Sequence, residues 1–290
     1  MLISKRLEYY EKLMRLDKPI GILLLLWPTL WGLWLAAGGI PNWVILWIFV
    51  LGTVLMRSAG CVINDYADRN FDLYVERTKD RPLATGVVST KEALFLAAGL
   101  SLCAFLLILN LNRLTIALSV CALLLAASYP FTKRFFAMPQ AYLGIAFSFG
   151  IPMAFAAQTN NIPIIAWLLM AANLLWVIAY DTEYAMVDKA DDLKIGIKTS
   201  AITFGRFDVV GIMLCHVIFI SLMVAVGQIQ KLGVAYYLGL GTALGLIIYQ
   251  YHLIHDREPA RCFKAFLHNN WVGAIVFTGI FLDYLIKTTF

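Results

Sequence analysis

The sequence predicts an all-α polytopic membrane protein with about nine transmembrane helices, and three observations carry that expectation. Of the 290 residues, 61% are hydrophobic and only 14% are charged, whereas an ordinary soluble domain carries about a quarter charged residues. The apolar residues fall in long runs, each close to the roughly 20 residues needed to cross the hydrocarbon core of a bilayer. The links between runs alternate, one short and nearly uncharged, the next long and basic. A chain of this length holds about nine or ten crossings with short loops and little else, so residues 1–290 are expected to form a single transmembrane domain.

Taken in order, the first span runs from Pro19 to Gly38 and stops at the link GGIPN, and the second runs from Trp43 to Ile63. The third, Glu92 to Asn110, and the fourth, Leu114 to Pro130, are parted by NLNR. The fifth, Gln140 to Ala157, precedes QTNNIP, and the sixth runs from Ile162 to Tyr184. The seventh and eighth, Val209 to Gly227 and Leu232 to Tyr251, flank QIQK, and the ninth runs from Trp271 to Ile286. Each is an apolar run bounded by charge, Gly, Pro or Asn. The run from Ile20 to Ala37 is too long for the apolar part of a signal peptide and is followed at once by another span, so it is expected to be a retained first helix.

Of the 23 Lys and Arg residues, all but Arg113, Lys231 and Lys287 belong to the N-terminal segment or the long links. The positive-inside rule therefore places the N-terminus and the long links in the cytoplasm, and the odd helix count sends the C-terminus outward. The net charge of +5 is read as membrane orientation and not as a nucleic-acid surface. Every acidic residue except Asp283 falls on the same side, which predicts a one-sided site. The five cysteines show no paired CxxC spacing and mostly lie in apolar runs, where a thiol acts as a small hydrophobe.

Two acidic clusters stand at the cytoplasmic edge. The first reads NDYADRNFD from Asn64 to Asp72; if the second helix continues, Asn64, Asp68 and Asp72 share one helical face at i, i+4 and i+8, with Asp65 beside them. The second reads YDTEYAMVDKADD from Tyr180 to Asp192, with Asp188 and Asp192 at i and i+4 and Asp181 two turns earlier. Like charges at that spacing destabilise a helix unless a cation sits between them, and Mg²⁺ takes oxygen ligands with one or two carboxylates while phosphates and water fill the rest. Bases interleave with both clusters: Arg69, Arg77, Lys79 and Arg81 with the first, Lys189, Lys194 and Lys198 with the second. Carboxylates that hold a metal, beside cations that neutralise the remaining oxygens, suit a diphosphate. A lone acidic loop end is often only a solvated face. Two on one membrane side are not explained that way.

These residues resemble the UbiA superfamily of intramembrane prenyltransferases, whose paired signatures are NDxxDxxxD and DxxxD. Longer strings resemble its 4-hydroxybenzoate polyprenyltransferase branch in proteobacteria: RLDKPIGILLLLWPTLW from Arg15, RSAGCVINDYADR from Arg57, RTKDRPL from Arg77, YPFTKR from Tyr129, YDTEYAMVDKADDLKIGIKTS from Tyr180 and CFKAF from Cys262. The likeness runs nearly end to end. Ala190 departs from it, standing where an Asp is expected between the matched carboxylates.

The resemblance implies helices around a central cavity, Mg²⁺ dependence, a bacterial inner membrane location, and the prenylation step of ubiquinone biosynthesis. The substrates would be polyprenyl diphosphate, with octaprenyl the expected chain, and 4-hydroxybenzoate. Asn64, Asp68, Asp72, Asp188 and Asp192 would hold the metal. Arg15, Arg69, Arg77, Arg81, Lys133, Arg134 and Lys194 are the candidate substrate-binding cations, with Arg134 ranked ahead of Arg15 for the benzoate carboxylate because a guanidinium grips a carboxylate through two bonds. Tyr184, one turn before Asp188, is the preferred aromatic for stabilising an allylic cation; Tyr129, Tyr180, Phe147 and Trp176 are further candidates. His216, His252 and His255 are not expected to bind metal. The competing readings are a prenyltransferase with another aromatic acceptor and, from a different class, a cation-coupled transporter. Crowding of charge on one face argues against a transport path.

Overall fold

The computed structural model describes residues 2–289, and among them there are helices and turns but no strand. Nine helical stretches are long and apolar enough to cross a membrane. They are built from α2 (Ile20–Ala37), α3 (Trp43–Asp68), α4 (Thr90–Ile108), α5 (Arg113–Thr132), the pair α6 (Pro139–Ser148) and α7 (Gly150–Thr159), α8 (Ile164–Ile195), the pair α9 (Ser200–Phe204) and α10 (Asp208–Ile229), α11 (Val234–Ile254) and α12 (Pro259–Thr289). A further helix, α1 (Leu2–Met14), precedes them. The predicted polytopic all-α architecture is the one observed.

Local chemistry sets the helix ends. Asn42 caps α3 by accepting from the Val44 and Ile45 amides, Asn112 caps α5 through the Thr115 amide, and Ser89 and Glu92 form a reciprocal capping box on α4. These side chains satisfy amides that have no partner within their helix. The break between α6 and α7 follows from Pro152, which has no N–H to give to the Ser148 carbonyl four residues back and crowds it with its ring. Ser148 is the last residue of α6, and its hydroxyl instead accepts from Asn173 of α8 at 2.8 Å.

Three helices outrun their predicted ends. α3 continues to Asp68 and α8 to Ile195, and α12 begins at Pro259, before Trp271. Reading apolar runs stops at the first charges, whereas the backbone keeps its hydrogen bonds into the polar headspace where those charges are solvated or paired. Arg57 is a related correction: counted with a basic link, it stands inside α3.

The core is aromatic. Trp31 of α2, Trp176 of α8 and Phe219 of α10 are fully buried, with ring centroids 5.3 Å (Trp31–Trp176) and 5.9 Å (Trp176–Phe219) apart. Outward-facing Trp43, Phe95, Leu124, Ile164, Val210 and Leu238 are exposed, which is the arrangement that lipid solvates. α11 and α12 pack most closely at Gly239, where a Cβ would fall 3.0 Å from the Gly279 Cα and 3.2 Å from the Ile275 carbonyl oxygen. Gly239→Val is therefore expected to destabilise the folded protein by about 1–3 kcal/mol, seen as a lower Tm in detergent. Gly241→Ala, whose added Cβ meets nothing within 4 Å, is the control that should not lower Tm.

Candidate functional site

Because successive helices reverse direction, the long basic links meet at one end of the bundle, where the α3–α4 link reaches α8 and the Lys198 amide meets the Lys133 carbonyl at 3.1 Å. There the helices enclose a cavity of about 690 Å³. Both acidic clusters line it: Asn64, Asp65, Asp68 and Asp72 from the α3 side, and Asp181, Asp188 and Asp192 from α8.

The two clusters arrive by different routes. Asp181, Asp188 and Asp192 all belong to the single helix α8, and helical spacing puts them on one face. On the other side α3 ends at Asp68, and Asp72 opens a separate 3₁₀ turn, Asp72–Tyr74. The expected three-residue stripe from a continuing helix is thus a correction: Asn64 and Asp68 stand one turn apart, and Asp72 is returned to the cavity by a bend.

Most of these carboxylates are already met by a cation of the chain. Arg77 holds Asp188 in a fork, with Nε 3.1 Å from Oδ1 and Nη2 2.5 Å from Oδ2. Lys133 Nζ donates to Asp68 Oδ2 at 2.8 Å and to Asn64 Oδ1 at 3.2 Å. Arg81 Nη1 lies 3.0 Å from both Asp72 Oδ1 and Asp65 Oδ1, and Arg15 Nη2 is 2.9 Å from both Asp65 oxygens. Arg15 itself adopts φ 58°, left-handed backbone that costs a non-glycine residue about 1–3 kcal/mol. Burial pushes the Asp72 carboxyl up to about 6, against the pull of the Arg81 guanidinium. Burial disfavours the charge on Lys133, yet Asp68 holds its ammonium above the ordinary lysine value.

Three of the expected cations stand outside the cavity. Arg134 donates to the Ala67 carbonyl at 2.9 Å and lies over the Phe71 and Phe131 rings, so it serves the open C-terminal end of α3. Arg69 donates to the Tyr66 carbonyl at 2.6 Å and stacks on that residue's own ring. Lys194 pairs with Asp191 at 3.0 Å on the exposed surface. Among the aromatics, Tyr129, Phe147, Tyr180 and Tyr184 line the cavity, whereas Trp176 is fully buried in the core. The Tyr184 ring carries the Arg77 guanidinium 4.4 Å from its centroid. Ala190 is exposed and does not line the cavity.

Two residues matter more to the cavity than their place in the sequence suggests. Asp65 is 1% exposed and anchors both Arg15 and Arg81. Arg57 lines the polar cavity and also a second, apolar cavity of about 180 Å³, and its Nε is buried without a partner. The available signal was its place inside the apolar run of α3, because an ionisable residue at membrane depth is costly and marks function.

Among the described residues no three carboxylate, histidine or cysteine groups converge as a ready metal cage. Asn64, Asp68, Asp72, Asp188 and Asp192 nevertheless suit Mg²⁺: all offer oxygen, and Mg²⁺ is characteristically held by one or two carboxylates with substrate phosphate and water completing the shell. His216 is fully buried near Glu183, away from this set.

The UbiA prenyltransferase family model matches residues 25–273. The 4-hydroxybenzoate octaprenyltransferase of Nitrosospira multiformis is 79% identical over 287 residues, covering 99% of each chain. Among solved structures, an apo UbiA homologue from Aeropyrum pernix aligns with a TM-score of 0.80 at 26% identity, covering 90% of this chain and 97% of that one. A UbiA homologue from Archaeoglobus fulgidus bound to GPP and Mg²⁺ shares the fold, with a TM-score of 0.70 at 17% identity over 92% and 99% of the two chains. With motifs, helices and sequence matching along nearly its whole length, the chain belongs to the UbiA prenyltransferase family.

Proposed function

We propose that the protein transfers a polyprenyl group, octaprenyl by preference, from polyprenyl diphosphate to the ring carbon of 4-hydroxybenzoate ortho to the hydroxyl, as a step of ubiquinone biosynthesis. One observation carries the reading. A single cavity combines facing carboxylates and their cations with an arginine at membrane depth whose Nε is buried without a partner, and it shares Arg57, Tyr129 and Phe147 with an apolar cavity running between helices. The name of the Nitrosospira multiformis relative supports the acceptor and the octaprenyl donor.

Asn64, Asp68, Asp72, Asp188 and Asp192 are the residues that would hold Mg²⁺ together with the donor, as supported by the GPP and Mg²⁺ bound to the Archaeoglobus fulgidus homologue. When bound, the metal supplies positive charge that eases departure of the diphosphate. Arg77, Arg81 and Lys133 stand beside these carboxylates to neutralise further phosphate oxygens. The allylic C–O bond breaks with its electron pair going to diphosphate, the ortho ring carbon forms the new C–C bond, and the ring proton passes to the released diphosphate or to water, restoring aromaticity. Tyr129, Tyr180, Tyr184 and Phe147 offer π faces to the allylic cation and help keep water from it. The prenyl chain begins among Ile48, Phe49, Met56 and Met153 of the apolar cavity and, being longer than it, continues toward lipid.

Arg57 takes the role first expected of Arg134 or Arg15, since the latter is already committed to Asp65. Its guanidinium lies 5.4 Å from the Phe147 ring, and space for it exists because residue 21 is glycine: a Cβ there would fall 2.5 Å from the Arg57 Nε. A half-buried cation at membrane depth whose Nε lacks a partner is costly, and a benzoate carboxylate relieves that cost. Losing a charged hydrogen bond of about 1.5–3 kcal/mol should raise the KM for 4-hydroxybenzoate about 10- to 150-fold in Arg57→Ala. Arg57→Lys should fall between, and Arg134→Ala should stay near wild type. An unchanged KM in Arg57→Ala would move the carboxylate site elsewhere.

The direct assay supplies 4-hydroxybenzoate, a polyprenyl diphosphate and Mg²⁺ to membranes containing the protein. Prenylated benzoate is expected, and excess chelator should abolish it. Absence of product, or full activity in chelator, would sink the assignment. The bacterial relative supports an inner-membrane location and the positive-inside pattern supports a cavity facing the cytoplasm, so a membrane-impermeant arginine-modifying reagent should reach Arg77 only from that side.

A further inference from the structure

Behind the cavity, among residues that do not line it, lies a fully buried polar network. Asn269 of α12 donates from Nδ2 to Glu183 Oε2 at 2.7 Å and to the Ala265 carbonyl at 3.1 Å, and its Oδ1 accepts from Trp176 Nε1 at 2.9 Å. Asn269, Glu183 and Trp176 are each 0% exposed. His216 of α10 is the only titratable group beside the carboxylate in the described ion pairs, with Nε2 3.9 Å from Glu183 Oε1. None of these four residues lines the cavity.

Polar groups buried at membrane depth are costly and are retained where they do something that apolar packing does not. Between helices in lipid, apolar contacts drive association weakly and permit rotation, whereas interhelical hydrogen bonds fix a register. The two bonds from Asn269 reach α8 at residues 176 and 183, which are two helical turns apart, so they fix both its rotation and its height. The segment between and just beyond them carries Tyr180, Asp181, Tyr184 and Asp188 to the cavity. At about 100° per residue, the gripped face at 176 and 183 is centred roughly 105° from that cavity face.

We propose that Asn269 and Glu183 are positioning residues: a clamp from α12 that sets the rotation at which α8 presents Tyr184 and Asp188 to the substrates. The proposal rests on the reaction assigned above. Side-chain tips lie about 5–6 Å from a helix axis, so a rotation of about 20° displaces them by about 2 Å. A misplacement of about 1 Å at a reacting centre is enough to cost about 100-fold in rate.

The test compares wild-type protein with Asn269→Leu/Glu183→Leu, in which both members of the Asn269–Glu183 bond are replaced together so that neither leaves the other unpaired, only the Trp176 indole N–H and His216 losing a neighbour, and with Glu183→Gln, which keeps the acceptor. In the double variant kcat should fall at least about tenfold while the KM for 4-hydroxybenzoate moves less than about threefold. Amide hydrogen exchange across residues 176–188 should quicken, with α2 and α11 unchanged. Glu183→Gln should match wild type in both measurements. The clamp is overturned by wild-type kcat and exchange in the double variant, by faster exchange throughout the protein, or by a Glu183→Gln defect as large as that of the double variant. If wild-type protein makes no prenylated benzoate, the assigned reaction falls, and the exchange comparison alone still decides the clamp.

Discussion

Replacing Asp68 or Asp188 with alanine is expected to lower turnover by at least about 100-fold, the scale of removing one preorganised electrostatic group from an active site, while the protein still reaches the membrane. The two residues face the same cavity from α3 and α8, and each is the partner of a cation: Lys133 at 2.8 Å for Asp68 and Arg77 at 2.5 Å for Asp188. Alanine removes a candidate metal ligand and also releases a base that would otherwise sit beside the diphosphate. Asn in place of Asp keeps the shape and some hydrogen bonding but loses the charge, so Asp68→Asn should be nearly as inactive as Asp68→Ala. Turnover in membranes, normalised to the amount of folded protein, decides the matter. Retained activity in both alanine variants would mean the metal and diphosphate site lies elsewhere.

Arg81→Ala is expected to have the second large effect, because one guanidinium contacts Asp65 and Asp72 at 3.0 Å each while being only 14% exposed itself. Asp65 would keep Arg15, but Asp72 would lose its cation in a buried setting. Breaking a buried pair by removing one partner costs about 3–5 kcal/mol, so Tm in detergent should fall along with activity. Asp72→Asn in the same molecule removes the orphaned charge. The double variant should recover much of the lost stability but none of the activity, a coupling that a double-mutant cycle measures. Arg81→Lys should be intermediate, since an ammonium keeps the charge but not the planar guanidinium that sets Nη1 between the two carboxylates. Full activity in Arg81→Ala would remove this residue from the diphosphate site.

The sequence by itself determined the membrane architecture and both acidic clusters. Those properties are local: apolar runs near the length of a bilayer, and aspartates one helical turn apart, are legible wherever they occur, and α8 carries Asp188 and Asp192 as the spacing predicts. Family strings such as YDTEYAMVDKADD added the chemistry. The tertiary structure decided which bases face the cavity, because a long side chain near a helix end has several partners within reach. Arg134 was drawn to the Ala67 carbonyl and Arg69 to the Tyr66 carbonyl, while Arg77, Arg81 and Lys133 crossed to carboxylates on other elements. It also decided how Asp72 returns after α3 ends, and that Arg57, a cation within a hydrophobic run, opens onto both cavities. Spacing along a helix fixes which residues share a face. Only the packing of α3, α8 and the α3–α4 link against one another fixes what that face meets.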